Sequence, residues 1–364
     1  MPRTIVGLDI GSSGIRAAEF TTGRRPTLRR FASVPLPSGA VRSGAVADVE
    51  AVAEALRALW TQGRFGTKIV SLGLANAGVL VRQMDLDWMP PGDFRKALRY
   101  QVEDALPMPV DDANLDYHLL EELVVPVEGD EEGRRVSRVL LVAAARDMVD
   151  GFVQAVHQAG LRPVRVDIIP FALVRASCRR NLDDSGAAEA IVDIGYDTIT
   201  VIVHQSGQPQ YVRLIPGHGS DEITRALQER YDWTWEDAER TKIRAGLPGH
   251  ADIDDIEPGT RELDHPAQRV IIVEAETLVA EVRATLDYFR DGTDDPSVLS
   301  RVLLTGAGTR LGGLRELLEE RLGVPVEPLS VLDRIRKPRR LRLSEDDQGA
   351  LAIPMGLCTQ GSGS

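Results

Sequence analysis

The chain has 364 residues, a formal net charge of −12 and a sequence pI of about 5.1, and 43% of its residues are hydrophobic. That length buries a large core and predicts two domains or several subdomains. The negative field disfavours a nucleic-acid binder, and two cysteines (Cys178, Cys358) and six histidines without ligand spacing point away from a disulfide framework or a zinc site and towards a reducing cytoplasm.

The first element is the most informative. The apolar run from Ile5 ends at Asp9-Ile10-Gly11-Ser12-Ser13-Gly14 and returns as a second run, Ile15–Phe20. This reads as a β-hairpin whose turn faces phosphate. Gly11 and Gly14 allow close backbone approach, and turn N–H groups with the Ser12 and Ser13 hydroxyls can cradle phosphate oxygens. Asp9, at the strand end, can hold magnesium through water. Next, Val49–Trp60 reads as a helix, and Ile69–Leu74 and Val79–Met84 as strands. Asp93–Ala105 is expected to be helical, with Phe94, Ala97, Leu98, Val102 and Ala105 on one face, stopped by Pro107-Met108-Pro109. Strands Tyr117–Val127 and Val136–Ala145 follow, separated by an acidic loop from Glu128 to Gly133. Asp147–Ala159 is a further helix.

The second half, from about Glu189, repeats the opening. Ala190–Val203 reads strand, Asp193-Ile194-Gly195, turn with Asp197 and Thr198, strand. Two such hairpins let two halves of a protein grip one polyphosphate from opposite sides. Gly217-His218-Gly219-Ser220 ends a strand and starts a helix with a Ser N-cap. Trp235–Arg244 reads as a helix, Gly246–Pro266 as a mobile loop, and Val270–Arg290 as a long amphipathic helix. Val302–Thr305, the turn Gly306-Ala307-Gly308-Thr309-Arg310-Leu311 and the helix from Leu314 can hold a nucleoside through backbone contacts and a helix N-terminus. There is no Walker A sequence. The basic cluster Arg334–Arg340 reads as a solvated loop. The longest apolar runs, such as Val139–Ala145, fall far short of the ~18 residues that span a bilayer, no signal peptide is visible, and the ending Thr359–Ser364 is too polar to bind lipid.

Hairpin, hairpin, strand and glycine turn, in this order and spacing, resemble the phosphate 1, phosphate 2 and adenosine motifs of the actin-like ATPase superfamily. Within it, the chain is similar to the PilM family of type IV pilus assembly proteins, relatives of FtsA. Ala97–Asp111, Val142–Arg146, Gly160-Leu161-Arg162-Pro163, Val166–Ala172 and Gln348–Leu357 carry that likeness. It implies an α/β, actin-like, ribonuclease H-like duplicated two-lobed (ASKHA) fold with an FtsA/PilM-type 1C subdomain. The implied division is subdomain 1A at 1–82, the 1C insertion at 83–161, a return to 1A at 162–188, 2A at 189–225, 2B at 226–297, 2A again at 298–343, and a C-terminal return to 1A with a polar tail at 344–364.

The resemblance also implies ATP and Mg2+ as ligands. Asp9, Gly11, Ser12, Ser13, Gly14 and Arg16 would form one phosphate loop, and Asp193, Gly195, Asp197 and Thr198 the other. Asp9 and Asp193 would hold the metal through water. Gly217 and Gly219 would lie beside the nucleotide. Glu239 and Lys242, in Ala-Glu-x-x-Lys, would touch ribose and adenine, with Gly306, Ala307, Gly308, Arg310 and Leu311 around the nucleoside. Four positions depart from the pattern. Arg16 stands where lysine is usual, Ala307 replaces a glycine, and Tyr196 fills a small-residue position. Ile169 precedes Pro170 where hydrolytic relatives carry a water-orienting Glu, and Asp167 on the same strand face substitutes only with a rearranged backbone. Binding of ATP with weak or no hydrolysis is therefore expected.

The implied role is a cytoplasmic assembly protein of the type IV pilus inner-membrane platform. It would bind the cytoplasmic N-terminal peptide of a PilN-like membrane protein in a cleft between 1A and 1C, with Asn76 and Arg82 as groove candidates, and reach the membrane through that partner without inserting. An active actin-like ATPase, a filament-forming cytoskeletal protein and an ASKHA small-molecule kinase are the alternatives.

Overall fold

In β1 (Thr4–Ile10) and β2 (Gly14–Thr21), apolar residues face both sides and are buried on both, so the hairpin sits inside the protein. The computed structural model describes residues 4–23, 26–42, 44–76, 78–127, 130–177, 187–248, 261–292, 299–337, 343 and 348–359. Cys178, the start of the acidic loop, the middle of the 246–266 segment, the end of the basic cluster and tail residues 360–364 lie outside the described residues.

The first sheet adds β3 (Leu28–Pro35), β6 (Ile69–Leu74) and β10 (Arg162–Ile168) to the hairpin, in the order β10-β6-β1-β2-β3. Two short strands, β4 (Val41–Arg42) and β5 (Ala45–Val46), lie outside it. The second sheet is built on β11 (Ala188–Ile194) and β12 (Thr198–Gln205), with β13 (Gln208–Pro216), β14 (Leu299–Thr305) and β15 (Val326–Pro328), in the order β13-β12-β11-β14-β15. The two sheets repeat one plan. Each has an antiparallel three-strand meander, and its first strand then pairs in parallel with a later one: Asp9 lies opposite Gly73, and Asp193 opposite Thr305. The duplication read from the Asp-Ile-Gly repeat is thus a duplication of whole sheets.

Helix α1 (Val49–Gly63) starts where the Asp48 carboxylate accepts the Ala51 N–H at 3.0 Å, and it buries Val52, Leu56 and Leu59 against the first sheet. A smaller sheet, β7-β9-β8, lies between β6 and β10 in sequence: β7 (Val79–Asp87), β8 (Ala113–Val127) and β9 (Asp130–Ala145). Its outer face is covered by α2 (Pro91–Gln101), which buries Phe94 and Leu98 there, Phe94 beside Tyr117 of β8. Each such buried side chain is worth about 1.5–3 kcal/mol. Helix α2 starts on Pro91 and ends at Gln101, and Glu103–Ala105 is a separate 3-10 turn, so the expected single helix to Ala105 is broken.

The expected acidic loop is also shorter than the sequence suggests. Val127 pairs with Asp130, and ion pairs support the strands across the sheet: Arg135 with Glu122 and Arg138 with Glu121 within the β8–β9 hairpin, and Arg138 with Asp85 of β7. Helix α3 (Arg146–Gln158) then leads to β10 and α4 (Ile169–Ser177).

In the second lobe, α5 (Ser220–Tyr231), α6 (Trp235–Ala245) and α7 (Arg261–Asp291) cover one face. Helix α7 begins at Arg261 and runs through Pro266, so the expected loop ends earlier than its composition indicates. Helix α8 (Leu314–Leu322) follows the glycine turn. The last helix, α9 (Ala352–Cys358), returns to the first lobe. A Cβ on Gly7 of β1 would strike the Pro354 carbonyl, and one on Gly356 would strike that of Ala172 in α4, so glycine alone permits this packing. Between the lobes, Phe20, Leu173, Ile191, Ile202 and Met355 form a shared core.

Candidate functional site

The two hairpin turns are built alike. The Gly11 N–H donates to the Gly14 carbonyl at 3.0 Å, and the Gly195 N–H donates to the Thr198 carbonyl at 2.9 Å. The turns face each other, and the Ser12 hydroxyl donates to Asp197 Oδ2 at 2.6 Å across the cleft. Asp9 and Asp193 lie beneath the turns, both buried. Arg16, directly opposite Asp9 in the hairpin, donates to its Oδ2 at 3.2 Å.

Burial raises the Asp9 pKa, and Arg16 opposes the rise. Asp193 is pushed up to about 7 by burial and then by the Asp9 charge, with Arg16 again opposing. Two buried carboxylates therefore share one guanidinium, and the site is short of positive charge. A second deficit lies at Asp221, whose Oδ2 takes an Arg225 hydrogen bond while its buried Oδ1 is without a partner. This donor set suits a hydrated divalent cation carrying a phosphate: the cation favours ionised Asp9 and Asp193, and the turn N–H groups and hydroxyls suit the anion.

The adenosine-type turn is locked onto the second hairpin. Gly306 has φ of +95°, and a Cβ there would collide with the Ile194 carbonyl and the Asp193 carboxylate. Gly308 packs on the Ile194 side chain. The start of α5 is equally close. Gly217, Ser220 and Asp221 donate backbone N–H groups to the carbonyls of Asp197, Gly195 and Tyr196 at 2.9–3.0 Å. A Cβ on Gly219 would strike the Tyr196 carbonyl. Tyr196 itself leans toward Trp235, ring centroids 6.3 Å apart.

Between α5, α6 and the glycine turn lies a narrow, open cleft. Ala307, Gly308, Arg310 and Leu311 line one wall, and Lys242 and Ser220 another. Ile223, Leu278 and Leu314 complete it. These three were not foreseen, because apolar residues at helical spacing look the same whether they face a core or a cleft.

Lys242 is buried, and its ammonium donates to Glu239 Oε2, Thr224 Oγ1 and the Ser220 carbonyl at 2.6, 2.8 and 2.9 Å.

The remaining positions divide clearly. Ile169 is buried in the shared core at the start of α4, and the Asp167 carboxylate is paired with Arg175. Asn76 is also buried. Its amide donates to the Gly44 carbonyl, and its oxygen accepts the Gly78 N–H at 2.9 Å, so its side chain serves the turn before β7. Arg82, on β7, is exposed. The inner face of the three-stranded sheet rests on both lobes. His118 of β8 bonds Gln208 at the start of β13 at 2.9 Å and sets its ring at a tilt to Phe171 of α4, centroids 5.8 Å apart, and Leu214 of β13 packs in the same core as Val81.

Comparison with known proteins agrees with this architecture. A solved PilM–PilN type IV pilus biogenesis complex contains a chain 27% identical to this one, with 97% of each chain covered and a TM-score of 0.79. Cell division protein FtsA of Streptococcus pneumoniae serotype 2 is 23% identical over 343 residues, 88% of this chain and 74% of FtsA. The ADP-bound crystal structure of MreB5 from Spiroplasma citri shares the fold at 12% identity, TM-score 0.50, with 97% and 94% of the two chains covered. The family model for type IV pilus assembly protein PilM matches residues 7–361. The chain belongs to the PilM family of type IV pilus assembly proteins.

Proposed function

We propose that the protein is a nucleotide-binding assembly factor of the type IV pilus inner-membrane platform, and that it captures the cytoplasmic N-terminal peptide of a PilN-like membrane protein. The likeness to the PilM–PilN complex over 97% of both chains carries the partner assignment. The peptide groove lies between subdomain 1A and subdomain 1C (83–161), with exposed Arg82 on its wall and Asn76 holding the turn beneath. An extended peptide orders on binding, so its affinity is modest.

ATP is the proposed ligand of the cleft. Gly11, Ser12, Ser13, Gly14 and Arg16 would meet its phosphates from one lobe, and Gly195, Asp197 and Thr198 from the other. Asp9 and Asp193 would hold magnesium through water. The metal, when bound, neutralises phosphate charge. Gly306, Ala307, Gly308, Arg310 and Leu311 would hold the nucleoside, with Gly217, Gly219 and Glu239 alongside. The nucleotide acts as a structural effector that sets the relation of the lobes. Buried Ile169 and paired Asp167 support slow hydrolysis.

The protein works in the cytoplasm and is held at the inner membrane by its partner. No helix among the described residues is long and apolar enough to cross a membrane. Co-expression followed by membrane fractionation tests the assignment. The chain is expected in the membrane fraction with the PilN-like protein present, and in the soluble fraction when that protein lacks its N-terminal peptide. Membrane recovery independent of the peptide contradicts it.

A further inference from the structure

The three hydrogens of the Lys242 ammonium meet three protein acceptors, Glu239 Oε2 at 2.6 Å, Thr224 Oγ1 at 2.8 Å and the Ser220 carbonyl at 2.9 Å. Its side chain is 4% exposed. An ammonium has three donors and no acceptor, so this one has none left for a ligand. Thr224, also buried, closes the triangle by donating to Glu239 Oε2 at 2.6 Å. Burial lowers the Lys242 pKa, and the Glu239 charge opposes that fall.

Two of the three acceptors belong to the first turns of α5. That helix start is itself fixed to the second phosphate turn. The Ser220 N–H donates to Gly195, Asp221 to Tyr196 and Gly217 to Asp197, and the missing Cβ of Gly219 lets the backbone sit against the Tyr196 carbonyl. A continuous path therefore runs from α6, through Lys242, to the start of α5, and on to Gly195–Thr198.

We propose that Lys242 is a positioning residue that holds α5, and through it the second phosphate turn, in place, and that its ammonium donates to neither the base nor the ribose. This rests on the reading of the cleft as a nucleotide site. It departs from the role that the Ala-Glu-x-x-Lys resemblance implies for this lysine. Lys242 lines the cleft with its stem, while its charge is directed into the protein. Its loss then weakens the grip on phosphates rather than on the nucleoside.

The test uses the full chain and two variants. Lys242→Met keeps the apolar stem, and Thr224→Val keeps side-chain volume and both charges while removing the shared hydroxyl. Adenosine, ADP and ATP, each with magnesium, are titrated calorimetrically, and amide exchange is followed on the nucleotide-free protein. Both variants are expected to weaken ADP and ATP about tenfold, the scale of a lost charge-assisted hydrogen bond, with adenosine changed less than about twofold. The Gly217 and Asp221 amides should exchange faster in both. An equal loss for all three ligands would place Lys242 on the nucleoside and overturn the proposal. So would unchanged affinities, or unchanged exchange at those amides. Wild-type protein that binds neither ADP nor ATP overturns the nucleotide reading itself. The exchange experiment reports on the Lys242 path separately from that outcome.

Discussion

Ser12 and Asp197 are 185 residues apart in sequence, and their side chains are joined by a 2.6 Å hydrogen bond across the cleft. The bond ties the two hairpin turns together at the place where phosphate would enter. Ser12→Ala is expected to loosen the nucleotide-free lobes and to cost roughly 0.5–1.5 kcal/mol of stability in urea unfolding. Amide exchange should rise at both turns. A change confined to the first hairpin would show that the bond does not join the lobes in solution.

Asp193 sets a pH dependence. Its folded pKa, pushed up to about 7, exceeds the unfolded carboxylate value, so between about pH 4 and 7 the folded protein binds the extra proton. Stability from this group is therefore lost as pH rises through that window. Asp193→Asn should raise the stability of the nucleotide-free protein at pH 8 by roughly 1–4 kcal/mol and change it little at pH 4. It should also weaken magnesium-dependent ATP binding. Parallel pH–stability curves for the two proteins would exclude the shared-charge account of Asp9 and Asp193.

Gly306→Val places a β-branched residue at positive φ and drives its Cβ into Ile194 and Asp193. Backbone strain alone is worth about 1–3 kcal/mol. ATP affinity should drop at least tenfold by calorimetry. Unchanged affinity would remove this turn from the site.

Hydrolysis should be slow, below the ~1 s⁻¹ low end of typical enzymes. Because Ile169 lies in the core between the lobes, Ile169→Glu is expected to destabilise the protein before it can help catalysis. A robust wild-type phosphate-release rate, lost in Asp193→Ala, would favour an active ATPase.

The duplicated hairpins were legible in sequence because Asp-Ile-Gly turns carry their chemistry locally. Helix α1 and strand β6 were legible as local segments too, while the Asp48 cap emerged only with the structure. The contact of His118 with Gln208 was not, since it joins strands that share no local pattern. Lys242 shows the limit most clearly. Its spacing from Glu239 was visible, but the direction of its donors depends on Ser220 and Thr224, brought in by a different helix. The helical start of α7 before Pro266 was hidden by a composition rich in acids and prolines.

The central claim is peptide capture, and fluorescence anisotropy measures it most directly. The labelled N-terminal cytoplasmic peptide of a PilN-like membrane protein is titrated with the full chain, with and without Mg-ATP, beside a scrambled peptide. Saturable binding of the native peptide alone is expected, weakened by Arg82→Glu on the proposed groove wall, with no binding of the chain to protein-free lipid vesicles. Equal binding of native and scrambled peptides, or tight vesicle binding without any peptide, would contradict the account.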